Sequence, residues 1–410
     1  MLSRPVAWAV VIVAMLTMTV SYIDRTTLAV LAPTVTKALD ISDTGYGWLT
    51  SAFSLAYLVA TPISGWWIDR VGARRGLVYS VLVWSTVAAM HAIVPGFGML
   101  FGLRIALGIA EGPGFPGGAQ TVYRVLPARD RSRGFGVLFM GSSIGGMVAP
   151  PLASLLFRNA GWRVAFLGTA IAGLAWIPLW IALTSRRDVR AQLEPPPEPA
   201  TRARPKFAEL VQHPLVVRGL VGVFAAAPVL GFISAWGSKY LVKTFHTDQG
   251  DVGGYLWLPP LCLDAGALLF GDLASRLPRL PGAPPRLLYA IAMVLASTIA
   301  LLPAVDTPWQ AMAVMGAAMG GGGALYTLCT ADLLSRMPAA SVSFAGGILA
   351  GAQSLALIIA NPIIGAAVDS QHDYRGVALA LGAWAIPGSL IWIAWRPDVR
   401  FEPRVQSAGG

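Results

Sequence analysis

The chain has 410 residues, of which 55% are hydrophobic and 12% are charged, and its formal net charge is +10 at pH 7. Soluble globular chains carry about 25% charged residues, so this composition excludes a soluble enzyme and indicates a protein folded in a lipid bilayer. The cysteines, Cys262 and Cys329, both fall in apolar segments, where a thiol packs as a small hydrophobic group. They cannot form a disulfide framework, and we expect no redox chemistry.

Twelve apolar segments follow one another along the chain, each close to the length of about 20 residues that a membrane-spanning helix needs. The first six are residues 6–36, 46–68, 77–94, 97–122, 134–157 and 164–184. The second six are residues 218–242, 254–273, 287–303, 309–334, 344–368 and 376–395. The sequence therefore predicts an all-α integral membrane protein with twelve transmembrane helices in two six-helix bundles.

A charged stretch with several prolines, residues 185–217, separates the two groups of six. Such a segment cannot bury enough apolar surface to fold alone, so we expect a linker. The predicted domains are an N-terminal bundle of residues 1–184, this linker, a C-terminal bundle of residues 218–396 and a tail of residues 397–410. Repeated bundles with a site between them near the bilayer midplane are typical of secondary transporters.

Lysine and arginine residues are distributed unevenly between the loops on the two sides of the membrane. The loops on the side of the two termini hold 22 of them, those on the other side hold 5, and three lie inside predicted spans. The positive-inside rule therefore predicts that both termini and the linker are cytoplasmic, in a bacterial inner membrane. This distribution accounts for the basic net charge without nucleic acid. The first segment lacks a convincing signal-peptide cleavage site, so we expect it to be a membrane span.

A short basic turn follows the second span. It contains Gly65, Asp69, Arg70, Arg74 and Arg75. A glycine permits close helix approach, an aspartate accepts hydrogen bonds from a neighbouring element, and arginines anchor at the anionic membrane face. A degenerate copy after the eighth span, at Gly271, has Ser275 in place of the aspartate. We therefore expect the turn to be part of a gate, although a basic turn that only obeys the positive-inside rule would look similar.

Several short motifs along the chain are characteristic in combination. They are Tyr22-Ile23-Asp24-Arg25, the turn from Gly65 to Arg75, Arg104 with Glu111-Gly112-Pro113, Leu258-Pro259 with Asp264, and Asn361-Pro362 before Gly365 and Asp369. With these motifs the chain resembles the major facilitator superfamily over essentially its full length. Within that superfamily it resembles the anion:cation symporters, in the hexuronate and sugar-acid branch. The resemblance implies proton symport of an organic anion such as a hexuronate or an aldonate, by alternating access in a monomer.

Ionisable side chains inside the spans carry the functional argument. They are Asp24, Arg25, Arg104, Glu111 and Asp264, with Lys239 nearer the end of its span. A charge at the bilayer centre costs at least about 2.5 kcal/mol, so each is a candidate functional residue. Arg104 and Glu111 are two helical turns apart and share a helix face, whereas Asp24 and Arg25 point about 100° apart.

The planar fork of an arginine can bind a carboxylate through two parallel hydrogen bonds, so we assign Arg25 to the substrate carboxylate. Desolvation favours the protonated form of a carboxyl group, so Asp24 and Glu111 are the expected proton carriers, with Arg104 favouring the charged form of Glu111. The resemblance implies the same assignment. The alternative is that these groups form ion pairs that only fix helix packing. Asp264 and Lys239 are candidate cavity charges, although Lys239 could instead extend to the membrane interface.

A sugar acid also needs partners for its hydroxyl groups and an apolar wall. The candidate substrate-binding side chains, besides Arg25, are Tyr22, Tyr57, Trp236, Gln353, Ser354 and Asn361. Their polar groups lie inside apolar segments and favour a hydrated site. Each tyrosine or tryptophan taken singly could equally be a packing or interface residue.

Other functional classes find less support in the sequence. The four histidines are scattered without metal-ligand spacing, which argues against an enzyme or a metal site, and no cofactor is expected. The glycines at 320–323 lack a following Lys-Ser or Lys-Thr, so no ATP site is expected. The expected partners are a small organic anion, a proton and membrane lipid. The remaining alternatives are a proton-coupled monocarboxylate or aromatic-acid transporter and an organic-anion exchanger.

Overall fold

The structure, a computed structural model, describes residues 2–193, 211–277, 285–337, 339–395 and 397. Regular secondary structure in these ranges is entirely helical, which confirms the all-α prediction. The predicted linker falls partly, and the predicted tail almost entirely, outside the described residues.

The helices of the N-terminal half are named in chain order. They are α1 (Arg4–Ala38), α2 (Asp43–Val71), α3 (Ala73–Met90), α4 (Phe97–Glu111), α5 (Gly114–Val125), α6 (Ala128–Thr184) and α7 (Arg187–Leu193). A short 3₁₀ turn, His91–Ile93, extends α3. The fourth predicted span is divided between α4 and α5, because Pro113 has no backbone N–H to continue the helical ladder. The fifth and sixth predicted spans both lie in α6, which is interrupted at Gly161, where φ is +81°.

The helices of the C-terminal half follow the same naming. They are α8 (Pro214–Phe245), α9 (Gly253–Leu256), α10 (Leu258–Arg276), α11 (Arg286–Ser297), α12 (Pro308–Ser335), α13 (Ala339–Gln371) and α14 (Arg375–Ala394). A 3₁₀ segment, Thr298–Ala304, extends α11. Every predicted span lies mainly on helical residues. Within the described residues, nine helical segments are long and apolar enough to cross a membrane by length and composition alone.

Two details differ from the sequence prediction. The linker begins with helix α7, whose Val189 and Leu193 side chains are fully buried, and Arg124 of α5 donates a 3.0 Å hydrogen bond to the carbonyl of Leu193. This part of the linker therefore packs on the N-terminal bundle. Arg218, predicted at a loop boundary, lies inside α8 and pairs at 2.5 Å with Asp332 of α12. Burial of that guanidinium is possible because the carboxylate compensates its charge.

Glycines allow the closest helix contacts in the C-terminal bundle. A Cβ atom added to Gly266 of α10 would collide with the backbone of Gly320 in α12. We expect Gly266→Val to destabilise the protein by about 1 to 3 kcal/mol or more, because backbone cannot move aside as a flexible side chain can. The measurement is the midpoint of thermal unfolding in detergent.

The matched control for this change is Gly102→Val in α4, where an added Cβ meets nothing within 4 Å. It should unfold close to the wild-type temperature, since valine is no worse a helix former than glycine. Equal midpoints for the two variants would contradict the close-packing argument.

Candidate functional site

An ion pair between α1 and α4 forms the centre of the candidate site. Arg25 Nη2 lies 2.7 Å from Glu111 Oε2, and Arg25 Nε lies 3.1 Å from the same oxygen. The Arg25 side chain is 18% exposed and that of Glu111 is fully buried. Ser21 Oγ donates a third hydrogen bond of 2.7 Å to Glu111 Oε2, whereas Oε1 has no partner among the described residues. Glu111 is therefore held through one oxygen only.

Three aromatic rings surround the Arg25 guanidinium. Its central carbon lies 4.5 Å from the ring centre of Tyr22, 4.9 Å from that of Phe53 and 4.8 Å from that of Tyr57. The rings of Phe53 and Tyr57 stack on each other at 5.9 Å, one helical turn apart on α2. These ring faces stabilise a cation and restrict the directions from which an anion can approach it.

Two further ionisable groups close to this pair have buried polar atoms without hydrogen-bond partners in the part of the chain that the structure describes. Both carboxyl oxygens of Asp24 are buried and unpartnered among the described residues, and the side chain is 3% exposed. Arg104 is 4% exposed, and its Nε and Nη1 atoms have no partner within the same residues. The Arg104 guanidinium lies 4.7 Å from the Phe53 ring, so Phe53 contacts both arginines. Direct partners of Glu111 are thus Arg25 and Ser21, not the Arg104 that shares its helix.

The two bundles are joined at the end where α1 finishes and α2 begins, which we call the closed end and define by Asp43, Lys239 and Asp369. Asp43 of α2 pairs with Lys239 of α8 at 2.8 Å, and Lys239 also donates to Thr36 of α1 at 2.9 Å. Lys239 therefore forms a cross-bundle ion pair and does not extend to the interface. The Asp369 carboxylate of α13 accepts from the backbone N–H groups of Asp43 and Thr44 at 2.9 and 2.8 Å. It caps the start of α2 from the opposite bundle.

Further cross-bundle contacts continue inward from the closed end. Trp236 of α8 donates a 3.1 Å hydrogen bond to the side-chain oxygen of Asn361 in α13, and its ring meets that of Tyr46 edge-on at 4.9 Å. Tyr46 of α2 donates to the carbonyl of Ala235 at 2.6 Å. Trp236 and Asn361 are both buried. The structure thus places these two predicted substrate-binding residues in the contact between the bundles.

The basic turn lies at the other end of the molecule, between α2 and α3, where Gly72 has φ of +83°. Asp69 accepts a 3.0 Å hydrogen bond from Gln120, Arg70 lies 3.5 Å from the ring centre of Trp66, and Arg74 donates to the carbonyl of Thr184. All of these partners belong to the N-terminal bundle, and Arg75 is exposed.

Gly65 of α2 and Gly347 of α13 face open space at this end, since a Cβ added to either would meet nothing within 4 Å. The same two helices are in tight contact at the closed end, where a Cβ at Gly365 would meet the Asp43 backbone. Contacts between α2 and α13 continue as far as Leu58, which would lie 3.3 Å from a Cβ on Gly351, and none is seen at Gly65 or Gly347.

The remaining predicted residues lie on α10 and α13. Asp264 of α10 accepts a 2.8 Å hydrogen bond from Ser143 of α6, which belongs to the other bundle. Gln353 and Ser354 of α13 are half-buried, and the Ser354 hydroxyl donates to the carbonyl of Ala350 in its own helix.

The structure brings together Tyr22, Arg25, Tyr57 and Glu111 as one cluster. Sequence reasoning did not include Ser21 or Phe53. The signal was present in the spacing, because Ser21 precedes Arg25 and Phe53 precedes Tyr57 by one helical turn. Among the described residues, no group of three or more His, Cys, Asp or Glu side chains could hold a metal ion.

Comparisons with known proteins agree with this architecture. The family model of the Major Facilitator Superfamily matches residues 14–307. The hexuronate transporter of Escherichia coli (strain K12) is 25% identical over 406 residues, which cover 94% of this chain and 92% of that protein. A probable galactarate/D-glucarate transporter of Bacillus subtilis (strain 168), GudP, is 23% identical over 425 residues, which cover 95% of this chain and 91% of that protein.

A solved structure supports the fold independently. The crystal structure of a bacterial homologue of the human lysosomal transporter Spinster superposes with a TM-score of 0.77, at 18% sequence identity, and covers 96% of this chain and 97% of that chain.

Proposed function

The chain belongs to the Major Facilitator Superfamily, a family of transporters and not of enzymes, and from this premise we propose that it imports a sugar acid together with protons. The observation that carries the proposal is the Arg25–Glu111 pair inside its aromatic cage. An arginine kept inside a membrane protein suits a carboxylate as cargo, and an acid on that arginine suits a proton as co-substrate. Hexuronates and aldarates, named for the two relatives, supply the substrate class.

The pair suggests how proton and substrate binding depend on each other. While Glu111 is ionised, its Oε2 occupies both Nε and Nη2 of Arg25. A substrate carboxylate needs the same two donors, because bidentate binding uses two parallel N–H groups. Protonation of Glu111 removes the charge that holds Arg25. The anion then replaces Glu111 as the partner of the guanidinium, so binding of one proton favours binding of one anion.

Asp24 is the proposed second proton carrier. A buried carboxylate with no hydrogen-bond partner is strongly unfavourable, whereas the neutral acid is much less so. Asp24 precedes Arg25 on α1, so a charge on Asp24 and an anion on Arg25 would repel each other. We therefore propose that a proton binds Asp24 when the substrate anion binds Arg25.

The tight contact of α2 and α13 at the closed end, together with the open space at Gly65 and Gly347, supports a proposal of transport by alternating access. We propose that the closed end faces the periplasm and that the turn containing Asp69 faces the cytoplasm, in the inner membrane, as the distribution of basic residues predicts. The structure then corresponds to an inward-open state. In the opposite state the Asp43–Lys239 pair would separate and the surfaces at Gly65 and Gly347 would approach each other.

The test is uptake by purified protein in liposomes. A thermal-shift screen of hexuronates, aldonates, aldarates and short monocarboxylates first identifies the cargo. We then expect the radiolabelled cargo to accumulate when the outside is more acidic than the inside, and a protonophore to abolish that accumulation. Accumulation that survives the protonophore would contradict proton coupling.

An organic-anion exchanger remains the second candidate, because Phe53 contacts two arginines and a doubly charged anion could use both. The same liposomes distinguish the two functions. An exchanger should catalyse counterflow of labelled against unlabelled cargo, with no response to the pH gradient.

A further inference from the structure

We propose that Ser21 is a positioning residue that sets how readily Glu111 takes up a proton, and thereby the pH at which Arg25 becomes available to the substrate. The inference rests on the proposed function and deepens it, since it assigns the control of the same site to a neutral residue. Ser21 lies one helical turn before Arg25 on α1 and is 3% exposed.

The direction of the Ser21 hydroxyl is the first observation. A serine or threonine inside a helix commonly donates to a backbone carbonyl one turn earlier, as Thr27 of α1 and Ser80 of α3 do at 2.8 Å each. Ser21 instead donates to a different helix, at Glu111 Oε2 of α4, over 2.7 Å. The same hydroxyl oxygen accepts a hydrogen bond of 3.3 Å from Arg25 Nη2. A hydroxyl can donate and accept at once, so Ser21 bridges the two members of the ion pair.

The bond from Ser21 favours one protonation state of Glu111. Glu111 Oε2 accepts two hydrogen bonds from Arg25 and one from Ser21, and an ionised carboxylate accepts such bonds more strongly than a neutral acid does. Removal of the Ser21 donor therefore destabilises the ionised carboxylate that occupies Arg25. Glu111 would then take up its proton at a higher pH, and the guanidinium would become free for a substrate at that higher pH.

The other groups that interact electrostatically with Glu111 carry charge or can acquire it. They are Arg25 and Asp24 of α1, Tyr57 of α2 and Arg104 of α4. Substitution of the acid or of either arginine changes the charge around the substrate, and Tyr57 is one of the rings around Arg25. Ser21 is neutral, so its replacement alters the protonation of Glu111 and leaves the charged groups in place.

The test is the pH dependence of substrate affinity in Ser21→Ala, measured by calorimetric titration of the purified protein in detergent from mildly acidic to mildly alkaline pH. The probe is D-galacturonate, a hexuronate, or the sugar acid that gives the largest thermal shift in the screen described above. Where the pH is low enough to protonate Glu111 in both proteins, we expect equal affinities. At alkaline pH we expect Ser21→Ala to bind about tenfold more tightly, because the midpoint of the pH dependence moves up by about one unit.

This gain in affinity distinguishes the proposed role from other roles of Ser21. Loss of a residue that contacts the substrate would weaken binding at every pH, and loss of a residue that only packs would not strengthen binding at alkaline pH. Alanine is a better helix former than serine, so we expect the variant to fold.

The matched control is Ser80→Ala, which removes a hydroxyl that is similarly buried, at 5% exposed, but donates within its own helix. Its affinity should follow the wild-type curve. In a Glu111→Gln background, Ser21→Ala should change the affinity by about twofold or less at any pH, because the two residues act as one unit and position 111 can no longer ionise.

Unchanged affinity of Ser21→Ala at alkaline pH, or weaker binding at every pH, would overturn the inference while proton-coupled transport stands. A gain that persists in the Glu111→Gln background would also overturn it, since Ser21 would then act through another group. Wild-type protein whose affinity for sugar acids does not vary with pH would contradict the proposed proton coupling together with this inference.

Discussion

Replacement of Arg25 by lysine is expected to weaken sugar-acid binding by about 30-fold or more and to abolish accumulation. Arg25 presents Nε and Nη2 to its present partner Glu111, and the same fork would serve the two oxygens of a substrate carboxylate. Lysine keeps the charge but is a compact, strongly hydrated point cation without the fork. Loss of a buried, hydrogen-bonded charge pair costs about 2 to 5 kcal/mol, which is about 30-fold to several thousand-fold in affinity.

Lysine is a better replacement here than alanine. Alanine would leave the fully buried Glu111 without a cation, which destabilises a protein by about 3 to 5 kcal/mol. A double variant, Arg25→Ala with Glu111→Gln, removes both charges and should recover folding without recovering transport. The measurements are substrate-induced thermal shift and initial uptake rate.

The matched control is Arg186→Lys, because Arg186 is also paired with an acid, Asp188, but its side chain is 54% exposed. We expect this variant to transport as the wild type does. Wild-type affinity in Arg25→Lys would show that the guanidinium does not bind the cargo.

Replacement of Glu111 by glutamine is expected to remove the contribution of this residue to proton coupling. The amide cannot take up a proton, and it no longer competes as an anion for Arg25. Substrate binding should therefore persist and vary less with pH, and counterflow should continue. A difference of one pH unit is worth about 1.4 kcal/mol per proton and sustains about tenfold accumulation by a one-proton symporter. Since Asp24 is proposed to carry a second proton, we expect the variant to accumulate about tenfold less than the wild type under this gradient.

The control for this second change is Asp188→Asn, an acid-to-amide replacement at a side chain that is 48% exposed. It should accumulate substrate normally in the same liposomes. Full accumulation in Glu111→Gln would contradict proton coupling at this residue. Loss of counterflow together with accumulation would indicate damage to the whole site instead.

Much of the fold could be predicted from the sequence, because a membrane span requires a long apolar segment and little else. The predicted spans all lie mainly on helices, including the fourth, which Pro113 divides. Hydropathy did not predict which residues beside the spans are packed. Val189 and Leu193 of α7 and the guanidinium of Arg218 are buried by contacts with residues far away in sequence, and hydropathy along the chain does not report such contacts.

Prediction of the site from the sequence was limited in the same way. Helical spacing places Arg104 on the same face of α4 as Glu111, yet the ion pair forms with Arg25 of α1. Which arginine reaches the acid depends on how α1 and α4 are rotated against each other, and that rotation is decided by tertiary packing. Asp43 and Asp369 were equally hard to assign, because acids at the ends of spans are common and only the structure shows that they join the bundles.

The hydrogen bonds that α2 donates to Asp369 would affect the rates of the proposed transport cycle. Ser42 caps α2 from within its own chain segment by accepting from the N–H of Gly45, whereas the N–H groups of Asp43 and Thr44 depend on Asp369 of the opposite bundle. In the proposed transport cycle this second partner would leave whenever the closed end opens. Water would then have to solvate the backbone N–H groups of Asp43 and Thr44. We therefore expect the carrier without substrate to spend most of its time in the conformation described here. Substrate outside the cell would then meet mostly carriers whose closed end is shut. We expect the return of the empty carrier to be the rate-limiting step of import.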